Sequence, residues 1–278
     1  MQNKSTIAVQ QLQQIADILL LQGSLTDPPG LIYGKLGIAV FFFHYARYTG
    51  NELFEDYALD LIEYMQEQIH SNSKTNYRQG LAGIGAGIDY LIQNRFLNAS
   101  KDFFDDFDHR MYCAVMYDPW QDFSLYEGLA GYGRYWIARS RYQASPALVR
   151  NCLLRITERI EENLSNIHEN EQIDVYCFLL DLQKIPDFEK YAILLDKPSA
   201  DFSRLGDSTV GNIVRMYQRS RYFNISLQDE IDFSLKQIPD LDMEKPPTDM
   251  GLLSGYSGEG MLRLTTINQS NISWMFLL

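Results

Sequence analysis

The chain has few of the features that would settle its function quickly. It contains only three cysteines, Cys113, Cys152 and Cys177, in 278 residues. They are odd in number, far apart and each set in an apolar helical stretch, so buried reduced thiols are expected rather than a disulfide framework. Basic charge is short: 24 Lys and Arg against 36 Asp and Glu leave a net charge of −12. A chain this acidic is poorly made to hold phosphate backbones, which argues against nucleic acid as a partner. No apolar run is long enough to span a bilayer, and the first residues lack the basic-then-apolar pattern of a signal peptide. Membrane insertion is therefore not expected, and the cytoplasm is the expected location. No Pro/Gly/Ser-rich linker divides the chain, and strand-like alternation is missing.

What the sequence does contain is a repeat. Gly34-Lys-Leu-Gly37-Ile-Ala39, Gly80-Leu-Ala-Gly83-Ile-Gly85, Gly128-Leu-Ala-Gly131-Tyr-Gly133 and Gly255-Tyr-Ser-Gly258-Glu-Gly260 each open an apolar helical pattern. A degraded copy stands at Ser208-Thr-Val-Gly211-Asn-Ile213. Starts at 34, 80, 128, 208 and 255 give intervals of 46, 48 and 47 residues, with one of 80. Such a period holds two helices and their connections, which predicts an array of helical hairpins.

In the first repeat, residues 38–48 are apolar on nearly every face, as a helix surrounded by protein must be. Thr49-Gly50 stops this helix, and Asn51 caps a second one whose Leu53, Phe54, Tyr57, Ala58, Leu61, Ile62 and Met65 form a single stripe. Each hairpin thus has a buried inner helix and an amphipathic outer one. The alternation continues with inner 84–94, outer 103–116 and inner 132–142. An outer helix follows, opened by a Ser145 cap and Pro146. The long interval contains an inner-type helix at 173–182 without its glycines, and a short partner at 188–195. Six inner helices result, the last running from 255 almost to the end. The N-terminal segment 5–22 is expected to pair with that last helix and close the set. The prediction is an all-α fold, an (α/α) toroid of about six helical hairpins, in one domain over 1–278. The glycines are expected to permit close backbone approach where inner helices converge, and tight turns.

The motifs Gly-Leu-x-x-Gly-x-x-Gly-Ile-Ala at 30–39, Tyr-x-x-Tyr-Thr-Gly-Asn-Glu at 45–52, Gly80 to Gly85 and the terminal Gly-Leu-Leu-x-Gly-x-x-Gly-x-Gly at 251–260 resemble lanthionine synthetase C-like proteins. The resemblance covers roughly residues 30–142 and 205–265. It implies an α/α toroid and, in the cyclases of the family, a zinc ion bound by two cysteines and a histidine just before repeat glycines. That zinc activates a peptide thiolate for addition to a dehydroamino acid. Here the matching dipeptides are Ile32-Tyr33, Arg78-Gln79, Tyr126-Glu127, Gly206-Asp207 and Leu253-Ser254, with no Cys or His among them. His44, His70, His109 and His168 fall elsewhere. No metal and no other cofactor is expected, and a zinc-dependent cyclase is not.

If the repeat turns share one end of the ring, they gather Tyr33, Arg78, Gln79, Tyr126, Glu127, Asp207 and Ser254 into a ligand-binding mouth, with Asp249 beside them. Three functions remain open. One is an accessory or peptide-binding component in modified-peptide biosynthesis, partnered by a precursor peptide and its modifying enzymes. Another is a metal-independent sugar-active enzyme, which needs two carboxylates across a cleft. Glu127 and Asp207 are its catalytic candidates, with Asp118, Asp122 and Glu259 as further carboxylates and Trp120 as an aromatic wall. The third is a non-catalytic interaction scaffold.

Overall fold

The computed structural model describes residues 2–98, 104–118, 122–141, 145–188, 196–199, 201–241, 249–268 and 272–278. Among them are eleven α-helices and no strand. They are α1 (Gln2–Gln22), α2 (Lys35–Thr49), α3 (Glu52–Glu67), α4 (Leu81–Gln93), α5 (Asp105–Tyr117), α6 (Leu129–Arg139), α7 (Pro146–Asn163), α8 (Glu169–Leu182), α9 (Thr209–Phe223), α10 (Gln228–Lys236) and α11 (Tyr256–Asn268). No helix among the described residues is long and apolar enough to cross a membrane. The chain forms two compact units, one of residues 1–72 with 204–278 and the other of residues 73–203.

Inner and outer helices differ in burial as their patterns predict. Every residue of α4 from Leu81 to Ile92 is buried, whereas α3 buries only Ala58, Leu61, Ile62 and Met65. The helix ends follow local chemistry. Gly50 closes α2 in the left-handed conformation at φ 68°, where its N–H reaches the Ala46 carbonyl, and the Asn51 side chain accepts from Leu53 N to start α3. At α7 the proline is in place, but Ser145 makes no side-chain capping bond. Proline at the first helical position fixes the turn without it. The expected outer partner at 188–195 lies outside the described residues apart from Phe188, as do Phe103 and Trp120.

In the first unit α2 lies against α3 and α11, and α1 lies against α11. Ile15 of α1 and Phe41 of α2 both press on Gly260 of α11. In the second unit α4 neighbours α6, and α6 neighbours α8, while the outer helices α5 and α7 lie side by side. The third small residue of each motif explains the spacing. A methyl group at Gly85 would strike the ring of Tyr135, one at Gly133 the ring of Phe178, and one at Gly260 the ring of Phe41. In each case an inner helix receives an aromatic side chain from its inner neighbour.

The first two glycines of each motif serve the tight turn, one of the two roles expected of them. A Cβ at Gly34, Gly80 or Gly128 would land on the carbonyl oxygen of Pro28, Lys74 or Asp122, each six residues earlier in the same turn. At Gly37, Gly83, Gly131, Gly211 and Gly258 the obstacle is the carbonyl of Leu31, Tyr77, Leu125, Leu205 and Leu252, again six residues back. The close approach is therefore between each turn and its own helix. The turn folds over the helix start, and its first carbonyl accepts the N–H of the first helical residue. This occurs in Lys35 to Pro28 at 2.9 Å, Leu81 to Lys74 at 3.0 Å, Leu129 to Asp122 at 3.1 Å and Tyr256 to Asp249 at 3.1 Å. Donors that a helix start leaves unpaired are satisfied in this way.

Asp89 is an exception to the apolar filling of α4. It is buried, its Oδ2 accepts from Gln93 at 2.5 Å, and its Oδ1 has no hydrogen-bond partner. Burial pushes its carboxyl up to about 6, against the pull of Arg141 and Arg139. Because the folded protein binds this proton more tightly than the unfolded chain, the ionised form costs stability above pH 6. That cost disappears as pH falls from 6 towards 4. Asp89→Asn should accordingly stabilise the protein by about 2–3 kcal/mol at pH 8, with the gain shrinking towards pH 5. Urea unfolding at the two pH values checks this, and an equal effect at both would refute it.

Candidate functional site

The turns are joined to one another as well as to their helices. Leu252 N donates to the Ile32 carbonyl at 2.8 Å, linking the turns before α11 and α2. The equivalent residue of the second repeat, Tyr77, donates to Tyr126 O at 3.1 Å, linking the turns before α4 and α6. Two links use side chains instead. Ser208, in the place of a first glycine, caps α9 by accepting from Gly211 N at 3.0 Å and donates its hydroxyl to Leu253 O at 3.3 Å. The turn before α6 faces α8, which lacks the glycine motif, and there Leu125 N donates to Asp174 Oδ2 at 2.8 Å while Phe123 N donates to Glu171 Oε1 at 3.0 Å. Both acids are buried. A carboxylate thus supplies the acceptor that a turn carbonyl provides elsewhere. Sequence reasoning passed over Asp174 and Glu171, although charged residues on a helix otherwise buried all round were the available signal.

The residues just before the repeat glycines include the richest polar group in the second unit. Arg78 N donates to the same Tyr126 carbonyl at 3.0 Å. The Arg78 guanidinium lies over the Tyr126 ring, 5.3 Å from its centroid, and its Nε sits 2.8 Å from Glu127 Oε1. That contact is an ion pair without an aligned N–H bond. The other oxygen of Glu127, Oε2, accepts from Asn76 Nδ2 at 2.5 Å, and Asn76 Oδ1 accepts from Gln79 N at 3.3 Å. Asn76 is a further member that the sequence did not suggest. Arg78 and Glu127 are 41% and 43% exposed, so the pair is open to a ligand and contributes little to stability.

The remaining candidates are in the first unit. Tyr33 is half-buried at the turn before α2, and its Cα closely approaches Gly251 of the turn before α11. Ser254 donates its hydroxyl to Asp249 Oδ2 at 2.7 Å, and Asp249 Oδ1 accepts from Gly251 N at 2.7 Å. Asp207 is 98% exposed, 3.7 Å from Arg215.

Several carboxylates hold the turns and helices together. Asp122 occupies the same place in its turn as Asp249, and its Oδ1 accepts from both Ser124 N at 2.8 Å and Ser124 Oγ at 2.6 Å. Glu259 is held by Arg263 at 2.5 Å on α11. Asp118 lies exposed at the end of α5, with its carbonyl accepting from Arg159 at 3.1 Å. Asp122 and Glu259 are thus each bonded within their own turn or helix.

A family model described as lanthionine synthetase C-like protein matches residues 26–174, more than half of the chain. The chain belongs to the lanthionine synthetase C-like family. The fold class of that family is the α/α toroid expected from the repeats. No curated protein matches the chain significantly.

The cyclases of this family imply zinc, and the residues here do not fit it. All three cysteines lie within helices, Cys113 on α5, Cys152 on α7 and Cys177 on α8, and none is near a repeat glycine. Zinc takes a thiolate, yet burial pushes the Cys152 thiol up to about 12, with Asp108 adding to the shift. Cys113 Sγ is 3.9 Å from His109 Nε2 one helical turn away, and among the described residues no third donor joins them in a metal-holding group. Burial holds His44 neutral down to about pH 3. The positions just before the repeat glycines carry Tyr33, Gln79, Glu127, Asp207 and Ser254, none of them a thiol or an imidazole.

Proposed function

We propose that this lanthionine synthetase C-like protein binds peptides without cyclising them, as an accessory component in the maturation of a modified peptide. The observation that carries this reading is the Arg78–Glu127–Asn76–Tyr126 group. It occupies turns where the cyclases hold metal and substrate sulfur, and it offers charge-assisted hydrogen bonds beside an aromatic face. The precursor peptide and its modifying enzymes are the proposed partners. Free thiols agree with a reducing compartment, and we place the protein in the cytoplasm on that ground. Because the repeats succeed one another through both compact units, we take residues 1–278 to work as one array.

Two measurements test the proposal. Metal analysis of protein purified without chelator should find zinc far below one equivalent, and stoichiometric zinc would overturn the non-cyclising reading. Selection of random ten-residue peptides displayed against the full chain should recover binders, and Arg78→Ala should weaken them about tenfold, or about 1.4 kcal/mol. Recovery of no binder, or binders indifferent to both Arg78→Ala and Glu127→Ala, would defeat the proposal.

A further inference from the structure

The Arg78 side chain is fixed on one side and uncommitted on the other. Its backbone N–H is bonded to Tyr126, its guanidinium covers the ring of that residue, and its Nε faces Glu127, which is itself held by Asn76. Neither terminal nitrogen donates a hydrogen bond within the described residues. Tethering from three directions removes much of the rotamer freedom that a long side chain would otherwise lose on binding. What remains exposed is the planar outer edge of the guanidinium, two parallel N–H groups spaced for a bidentate acceptor.

We infer that Arg78 is the carboxylate-recognising residue of the peptide site, an inference resting on the peptide-binding reading above. The carboxylate comes either from an Asp or Glu side chain of the peptide or from its C-terminal end. Charge selects carboxylate over a phosphate group. Glu127 lies on the Nε side of the guanidinium, so a single negative charge at the outer edge is closer to Arg78 than to Glu127, whereas a dianion doubles the repulsion from Glu127 and from a chain of net charge −12. Geometry selects arginine over lysine, because a point charge cannot match two coplanar oxygens.

The tightest peptide from the display selection, resynthesised in three forms, provides the test against the intact protein. One form keeps or gains a central Glu and has an amidated C-terminus. Another has Gln at that position and an amidated C-terminus. The third has Gln and a free C-terminal acid. At least one acid-bearing form should bind about tenfold more tightly than the neutral form, and which of the two does so identifies the source of the carboxylate. Arg78→Gln should reduce that preference to less than twofold, and Arg78→Lys should restore only part of it. Equal binding of all three forms, or a preference that persists in Arg78→Gln, would overturn this inference while leaving peptide binding intact. Failure of the selection to yield any peptide would overturn the peptide-binding reading, and this inference with it.

Discussion

Replacing Asp108 with alanine is expected to lower stability by about 4 kcal/mol, the typical cost of leaving a buried charge without its partner. Asp108 projects from the outer helix α5, and both its oxygens are committed to the inner helix α6. Arg139 Nε reaches Oδ1 and Nη2 reaches Oδ2, each at 2.9 Å, and the Tyr135 hydroxyl donates to Oδ1 at 2.5 Å. All three residues are buried, and Arg139 also stands 4.0 Å from the centroid of the Phe104 ring. Alanine would leave a buried guanidinium and phenol without their carboxylate, with Asp89 as the remaining nearby charge on Arg139. Urea unfolding measures the loss, and a change below about 1 kcal/mol would show that the pair is dispensable. Arg139→Ala should cost a similar amount. The double variant should cost much less than the two added together, because the second removal takes away the group that the first left unpaired.

Gly83→Ala should be nearly as damaging, at about 3 kcal/mol or more, beyond what helix propensity alone would predict since alanine is the better helix former. The added methyl group would meet the Tyr77 carbonyl oxygen, which belongs to the backbone and has no rotamer by which to move aside. Relief requires the whole turn to lift, and the Tyr77 N–H to Tyr126 O bond to the next repeat resists that movement. Gly85→Ala makes an instructive comparison. Its obstacle is the edge of the Tyr135 ring, a side chain rather than backbone, although that ring is buried and tied to Asp108, so relief costs less than lifting a turn but is not free. Ala39 occupies the same place in the first repeat. A thermal scan of both variants should therefore rank Gly83→Ala well below Gly85→Ala. The reverse order would mean that the turns are softer than their bonding suggests.

Periodicity made the helices legible. Inner and outer types, the stop at Gly50, the cap at Asn51 and the glycine-poor inner helix α8 were all written in local patterns of apolar spacing and turn chemistry. The contact of α1 with α11 was readable from a count of partners, since each was left without one. What the sequence left mixed was which glycines serve the tight turns and which the approach of a neighbouring helix. A contact six residues back along the chain and a contact with a neighbouring helix leave the same mark, and only the placement of carbonyl oxygens separates them. The site was partly legible in the same way. Position relative to the repeats singled out Arg78, Tyr126 and Glu127, which do meet. Asn76 was missed because its role depends on where a turn places an amide, and no spacing rule encodes that. Asp122, Asp249 and Glu259 are bonded within their own turns and helix, contacts that composition cannot show.

The junction between the third and fourth repeats has a vulnerability of its own. Where peptide groups tie two turns together, as between Tyr77 and Tyr126, the bond itself uses no side chain. Where Asp174 and Glu171 make the tie, the same mechanical job depends on the identity of two codons. At this seam, therefore, a single missense change at Asp174 or Glu171 removes a tie between neighbouring repeats.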